Sequence, residues 1–329
     1  MDVFVASTPF QLISCTEARN HFDSRHYRLL VVRPDNKTTR SQIAYLLDAF
    51  GWDRKSVVWF SKLTFYLKLP GVLRRLLKQP IDTLFIGNRG SWLHEIFYVS
   101  LKFKALIFLD DGIGSTVLYY RDARAQHFKS RISEGKKRLL GCLGLSMKSG
   151  FQDGTLTFFS CFPLADCGNI RVIQHDFPVF RHRFGLVKGQ GRNNGGPLVG
   201  YLGQRHGKSE LRLQLSRHLQ TLARRHPHPA RIVYLMHRKQ TLEPIGDILK
   251  AAGAEAHRNE LPIEIEVALT TTGYQAFYGF TSTALFTLKM LFPSLDVYQI
   301  EDPSVSAAVH YPDEMADLFR RIGVTKIIF

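Results

Sequence analysis

The chain has 329 residues and a mass of 37.6 kDa, and 45% of its residues are hydrophobic, so it is long enough to bury two cores of ordinary size. Its formal net charge of +16 at pH 7 indicates an anionic partner, and composition alone leaves open whether this is nucleic acid, lipid headgroups or an acidic substrate. No run of about 18 uncharged apolar residues occurs, which excludes a membrane-spanning helix and leaves peripheral contact as the only kind of membrane association expected.

The four cysteines, at positions 15, 142, 161 and 167, have no CxxC spacing. The opening residues MDVFVAS indicate a strand rather than a secretory signal. We therefore expect reduced thiols and a cytoplasmic protein that can lie peripherally on the inner membrane.

Apolar strand-like runs alternate with helical patterns from Val3 to Leu109. The predicted strands are Val3–Ala6, Tyr27–Val32, Ser56–Phe60, Thr83–Gly87 and Ala105–Leu109. The predicted helices between them span about residues 10–21, 39–50, 67–77 and 92–101. This rhythm is typical of a doubly wound parallel sheet.

Ligands of such sheets bind beyond the carboxyl ends of the strands. The rule points to Ser7-Thr8-Pro9, to the loop that contains Asn88, and to Asp110-Asp111-Gly112. A carboxylate at the end of a buried strand is well placed to accept a proton from a bound hydroxyl. An Asp-Gly turn and a metal site are the alternatives for this acidic loop.

Two segments in the middle of the chain differ in composition from the strand and helix patterns around them. Residues 120–150 are rich in Lys and Arg, which indicates either a solvated helix face or a patch for anionic lipid or glycan. Residues 188–197 (KGQGRNNGGP) have no apolar period and are typical of a linker. The predicted domains are therefore residues 1–190 and 191–315, with a tail, residues 316–329, that can return to the first domain.

The second half repeats the alternation of strands and helices. The predicted strands are Leu198–Leu202, Arg231–Met236, Gln275–Phe280, Val297–Ile300 and Lys326–Phe329. The predicted helices span about residues 208–224, 241–252 and 313–322, with one more after Ser282-Thr283 and a further segment at 264–269. We expect an α/β protein of two Rossmann-like domains that face a cleft, as in GT-B glycosyltransferases.

Two features of the second half point to phosphate chemistry. Ser282 and Thr283 stand where a strand ends and a helix begins, so they either cap the helix or hold a phosphate there. His237 ends the strand RIVYLM and is followed by Arg238, and positive charge at this point suits a phosphate leaving group.

The order of the Asp110-Asp111-Gly112 loop, His237 and Ser282-Thr283 resembles the bacterial GT-B sialyltransferases, whose signatures are D/E-D/E-G, H-P and a paired Ser/Thr motif. His237 departs from the pattern because Arg238 follows it instead of proline. Residues 5–12 (VASTPFQL) are similar to the T-P-F-Q-L start of the lipooligosaccharide group, family 52. Leu261-Pro262-Ile263-Glu264 is similar to the segment whose Glu binds the cytidine ribose, and Gly203-Gln204 to a turn that lines the nucleotide pocket.

The resemblance implies an inverting, metal-independent transfer of sialic acid from CMP-sialic acid to a sugar hydroxyl of an anionic glycan or glycolipid. It implies that Asp110 is the general base, with Asp111, Gly112, Asn88 and Thr8 supporting its loop. It further implies that His237 assists the departing phosphate, and that the donor is bound by Ser282, Thr283, Glu264, Gly203, Gln204 and Arg238.

Three alternatives stay open. The donor can be another CMP-activated acid, such as a Kdo-like sugar, or a UDP-sugar. The strong positive charge also fits a nucleic-acid-binding protein, although no specific recognition motif is present.

Overall fold

The computed structural model describes residues 1–34, 36–125, 131–142, 156–186, 198–204, 209–226, 230–237, 240–243, 245–270, 273–302 and 310–329. These residues form two compact units, Met1–Phe180 and Arg181–Phe329. The predicted boundary near residue 190 and the glycine-rich linker lie outside the described residues.

The first unit contains one parallel sheet of seven strands. They are β1 (Asp2–Ala6), β2 (Tyr27–Val32), β3 (Val57–Phe60), β4 (Ile81–Ile86), β5 (Phe103–Leu109), β6 (Leu156–Ser160) and β7 (Ile170–Gln174), in the order β3-β2-β1-β4-β5-β6-β7. Each predicted strand of this half is present, whereas β6 and β7 were not predicted. The strand order reverses between β1 and β4, which pair directly, with Val5 opposite Ile86.

Helices connect the strands of the first sheet from β1 to β6, whereas β6 and β7 are joined by residues 161–169 without a helix. The connecting helices are α1 (Pro9–His21), α2 (Lys37–Ala49), α3 (Phe65–Leu76), α4 (Trp92–Ser100), α5 (Ile113–Ala125) and α6 (Glu134–Cys142). A seventh helix, α7 (Pro178–Arg183), follows β7 and crosses the division between the units. The central strands are fully buried at Val3–Ala6 and Leu29–Val32, which explains why they are continuous apolar runs rather than alternating ones.

The second unit repeats this plan with a parallel sheet of six strands. They are β8 (Leu198–Leu202), β9 (Arg231–Leu235), β10 (Glu255–His257), β11 (Tyr274–Gly279), β12 (Asp296–Glu301) and β13 (Thr325–Ile328), in the order β10-β9-β8-β11-β12-β13. The helices are α8 (Ser209–Arg225), α9 (Gly246–Ala251), α10 (Ile263–Leu269), α11 (Thr283–Leu291) and α12 (Pro312–Arg321). This is the strand order of the Rossmann fold, and it reverses between β8 and β11.

The last strand belongs to the second sheet. β13 pairs in parallel with β12, with Ile300 opposite Ile327. The sequence analysis allowed this tail to return to the first domain, but its backbone hydrogen bonds are made within the second unit.

None of the helices in the described ranges combines the length and apolar character that a membrane span requires.

Candidate functional site

Polar side chains from the loops after β1, β4 and β5 form one hydrogen-bonded cluster at the reversal point of the first sheet. The Gln11 side chain accepts from Ser7 N at 2.6 Å and donates to one carboxylate oxygen of Asp111. The Asn88 side-chain amide donates to the other oxygen. Two amide donors fix the orientation of the Asp111 carboxylate. The three predicted loops are thus brought together, and their centre is Asp111.

A buried histidine supports this cluster from α4. His94 Nδ1 accepts from Asn88 N at 3.2 Å, and Nε2 lies 2.8 Å from the Ser7 hydroxyl, which donates to Val32 O at 2.5 Å. Because Nδ1 accepts, the proton is on Nε2. Burial lowers the pKa of His94 to about 3, so the ring is neutral near pH 7. Sequence analysis missed His94, whose only signal is a lone imidazole in the apolar run WLHEIF.

Asp110 lies deeper than its neighbour. Its side chain is 1% exposed, and its carboxylate accepts from Ser160 Oγ at 2.8 Å and from Cys161 N at 2.6 Å. Burial raises the pKa of Asp110 to about 6, against the opposing effect of these hydrogen bonds. The general-base role predicted for Asp110 requires a carboxylate that a substrate hydroxyl can reach. This burial favours the partly exposed Asp111 for that role instead.

A second buried histidine, His175, lies beside Asp110. Its Nε2 is 3.9 Å from Asp110 Oδ2, its ring stacks on Phe159, and neither ring nitrogen has a hydrogen-bond partner among the described residues. Burial lowers the pKa of His175 to about 3. Neither Ser160 nor His175 was predicted from the sequence, since Ser160 ends β6 and His175 directly follows β7, and both strands were missed.

Two further predicted residues shape the loops of the first unit. Thr8 is the N-cap of α1, and its hydroxyl accepts from Gln11 N at 3.3 Å, which connects the cap to the residue that orients Asp111. Gly112 has φ of 85°, a left-handed conformation that favours glycine, and the chain turns there from β5 into α5.

The second unit has a cavity of about 440 Å³ at its own reversal point, where β8 and β11 end. Its lining combines the turn Gly203-Gln204, His237 at the end of β9, and Ser282 at the start of α11. Asn259 and Ile263 complete one wall, and sequence analysis had not identified Asn259. Three predicted donor-binding residues and the predicted catalytic His237 thus line one cavity of a size that suits a small ligand.

The backbone around Gly203 is close to its neighbours. A Cβ atom at this position would lie 2.6 Å from the Tyr234 hydroxyl and 2.9 Å from Leu235 O. Glycine is therefore required sterically, and its presence leaves the backbone after β8 open to the cavity.

The start of α11 is capped as the sequence predicts. Ser282 is the N-cap, and its hydroxyl accepts from Leu285 N at 3.2 Å. Thr283 is the first residue of the helix. A serine that accepts in this way still has a hydroxyl proton to donate, and the helix dipole favours an anion at this end.

Glu264 and Arg238 differ from the remaining predicted residues. Glu264 is 7% exposed, accepts from Thr287 Oγ1 at 2.6 Å, and has its pKa raised by burial. In this conformation its carboxylate joins α10 to α11, and Ile263 beside it lines the cavity. Arg238 lies outside the described residues.

These two units define a fold class, that of GT-B proteins. Two solved structures show the likeness. UDP-GlcNAc 2-epimerase from Neisseria meningitidis, bound to UDP-GlcNAc, has a TM-score of 0.55 and 12% sequence identity, over 96% of this chain and 85% of that one. UDP-GlcNAc 2-epimerase from Methanocaldococcus jannaschii, in complex with UDP-GlcNAc and UDP, has a TM-score of 0.54 and 10% identity, over 100% of this chain and 89% of that one.

At these identities the likeness concerns the fold alone. No protein-family model matches the sequence, and no curated protein matches it.

Proposed function

We propose that the protein is a metal-independent, inverting glycosyltransferase that takes sialic acid from CMP-sialic acid. The observation that carries this proposal is the cavity of the second unit. Gly203, His237 and Ser282 line it, and Ser282 places the N-terminus of α11 beside it. The cytidine occupies the part near Gly203-Gln204, and the single phosphate lies at the start of α11. Helix amides, hydroxyls and one imidazole stabilise a monophosphate leaving group without requiring a divalent ion.

The first unit supplies the base. Asp111 accepts the proton of the acceptor hydroxyl as its oxygen bonds to the anomeric carbon and the bond from that carbon to the CMP phosphate breaks. Gln11 and Asn88 hold the carboxylate in place before the reaction. His237 donates a hydrogen bond to the departing phosphate, so the charge that develops there is stabilised. The acceptor is the terminal sugar of an anionic surface glycan, such as lipooligosaccharide or capsule.

A UDP-sugar is the second candidate donor. The structures of similar fold described above were solved with UDP-GlcNAc, and one of them also with UDP. A diphosphate carries more leaving-group charge and more often recruits a metal ion.

Thermal-shift measurements of the full chain with CMP and with UDP distinguish the two candidate donors. We expect stabilisation by CMP, which His237→Ala diminishes, and little effect of UDP. Stabilisation by UDP alone would overturn the CMP assignment. If neither CMP nor UDP raises the melting temperature, and the chain binds oligonucleotides at physiological salt, a nucleic-acid-binding protein is favoured.

Transfer is tested by incubation with CMP-sialic acid and lactose, followed by mass spectrometry. We expect a product heavier by one sialic acid, formed equally well in EDTA. Strict dependence on a divalent ion would contradict the metal-free scheme.

A further inference from the structure

Large apolar side chains are concentrated on the exposed surface at the start of α3. Leu63 is 88% exposed, Leu67 82% and Tyr66 37%. Leu77, near the helix end, is 45% exposed. Four of the seven exposed large hydrophobic residues among the described ones thus fall within fifteen positions of the sequence. Such a concentration is unusual on a surface that faces water alone.

The exposure is not a defect in the packing of α3. The opposite side of the helix is buried through Phe65, Leu69, Leu73 and Leu76, which lie at helical spacing. At 100° per residue, Leu67, Pro70 and Arg74 project on the side away from this buried stripe, and Tyr66 lies at its edge. Leu67 on the helix and Leu63 just before it are therefore apolar side chains that the core does not use.

The same surface is strongly basic. Residues 54–81 contain seven Lys or Arg residues and no Asp or Glu. Lys62 and Lys68 flank the apolar tips and are exposed, as are Arg74, Arg75 and Lys78. A neighbouring cavity of about 1020 Å³ is lined by Lys62 and Leu63 and adds Lys37 and Arg40 from α2. Positive charge thus surrounds the apolar tips.

We propose that this surface, Lys62–Lys78, docks the protein on an anionic phospholipid bilayer. Leu63, Tyr66 and Leu67 enter the headgroup region, while the ammonium groups of Lys62 and Lys68 stay at the level of the lipid phosphates. The basic end of α3 lies along the membrane surface.

The observations favour a bilayer over the other occupants of an apolar surface. A second copy of the chain would place like charges of Lys62, Lys68 and Arg74 near each other across a self-complementary contact. The phosphate backbone of a nucleic acid would bind the cations, but it would make no favourable contact with exposed leucines. A membrane surface offers anionic groups and an apolar layer together, which matches the exposed leucines and the lysines beside them.

The test is flotation of the full chain with vesicles of phosphatidylcholine alone and of phosphatidylcholine with phosphatidylglycerol. We expect binding to the anionic vesicles and much weaker binding to the neutral ones. The double variant Leu63→Ser/Leu67→Ser is expected to lose about tenfold in affinity. The matched control is Leu269→Ser, a leucine of the second unit that is 52% exposed, which leaves binding unchanged.

Charge is tested separately with Lys62→Gln and Lys68→Gln. Each is expected to weaken binding to anionic vesicles roughly fivefold, since a basic residue near such a surface contributes on the order of 1 kcal/mol. Lys250→Gln, an exposed lysine of the second unit, is the control. All substituted residues are exposed, so circular dichroism and the melting temperature should be those of the wild type.

Three outcomes would overturn the proposal. The first is an absence of binding to anionic vesicles. The second is unchanged binding by the leucine variant, which would leave only general electrostatic attraction. The third is a dimer in solution that the leucine variant dissociates, which would make this surface a contact between copies of the chain.

Discussion

Ser160 donates a hydrogen bond of 2.8 Å to Oδ1 of Asp110, within a layer that water hardly reaches. The next residue, Asp111, instead receives the side-chain amides of Gln11 and Asn88 and is partly exposed. Two adjacent carboxylates therefore have different surroundings, because successive residues at a strand end point in opposite directions. This difference fits the proposed division of roles, in which Asp110 is structural and Asp111 is the base.

Substitution of each aspartate should separate these roles. Asp110→Ala removes the acceptor of the hydrogen bonds from the Ser160 hydroxyl and Cys161 N, so we expect a loss of about 1–3 kcal/mol in the free energy of unfolding. Asp111→Asn keeps one acceptor for the amides of Gln11 and Asn88 instead of two, so we expect a loss of stability of about 1 kcal/mol and a kcat roughly 100-fold lower or more. Denaturant unfolding and a transfer assay measure the two effects. Full turnover by Asp111→Asn, with an inactive but stable Asp110→Asn, would return the base to Asp110.

The buried histidines predict the pH dependence of stability. The pKa of His94 is about 3 in the folded protein, whereas an unfolded histidine titrates near 6.5. The unfolded chain therefore binds more protons between these values, and stability is lost as the pH falls below about 6.5. His175 acts in the same direction, while Asp110, whose pKa is raised to about 6, opposes it.

We expect His94→Gln to reduce this slope by about 1.4 kcal/mol per pH unit between roughly pH 4 and 6. Unfolding of the first unit can be followed by tryptophan fluorescence, since Trp52, Trp59 and Trp92 all belong to it. An unaltered slope in the variant would mean that His94 is protonated in the folded protein.

The cap of α11 can be tested apart from its proposed ligand. Ser282→Ala removes the acceptor for Leu285 N, so we expect a loss of about 1 kcal/mol in stability and weaker binding of CMP. Asn36→Ala is the control, because Asn36 caps α2 in the first unit by accepting from Thr39 N at 2.8 Å. It should cost similar stability and leave CMP affinity unchanged. If Ser282→Ala binds CMP as tightly as Asn36→Ala and the wild type, Ser282 does not contribute to the donor site.

The close packing at Gly203 gives a steric prediction. Gly203→Ala introduces a Cβ atom 2.6 Å from the Tyr234 hydroxyl, so the strand end must shift, at a cost of about 1–3 kcal/mol and with loss of CMP binding. Gly246→Ala is the matched control in the same unit, since its Cβ would meet only Leu242 Cγ at 3.9 Å. Isothermal titration with CMP compares the two, and wild-type affinity in Gly203→Ala would argue against a ligand at this turn.

The sequence by itself determined the two α/β units, because long apolar runs such as Val3–Ala6 and Leu29–Val32 can be satisfied only inside a parallel sheet. It missed β6, β7 and β10. The last of these is the short EAH run at the edge of its sheet, all exposed, so it lacks an apolar pattern. The loops at the strand ends were also predictable, since a strand followed by Gly, Asp or Ser marks a place where ligands bind.

Tertiary structure alone decided which side chains are accessible. Asp110 and Asp111 are the same residue type at adjacent positions, so the sequence does not distinguish them. Asp110 contacts β6 and Asp111 contacts α1, and both elements come from distant parts of the chain. The same holds for His94 and for Leu63, one an imidazole hidden in a core and the other a leucine left on the surface. The local sequence pattern predicts the secondary structure of a segment, whereas the exposure of its side chains depends on which other segments pack against it.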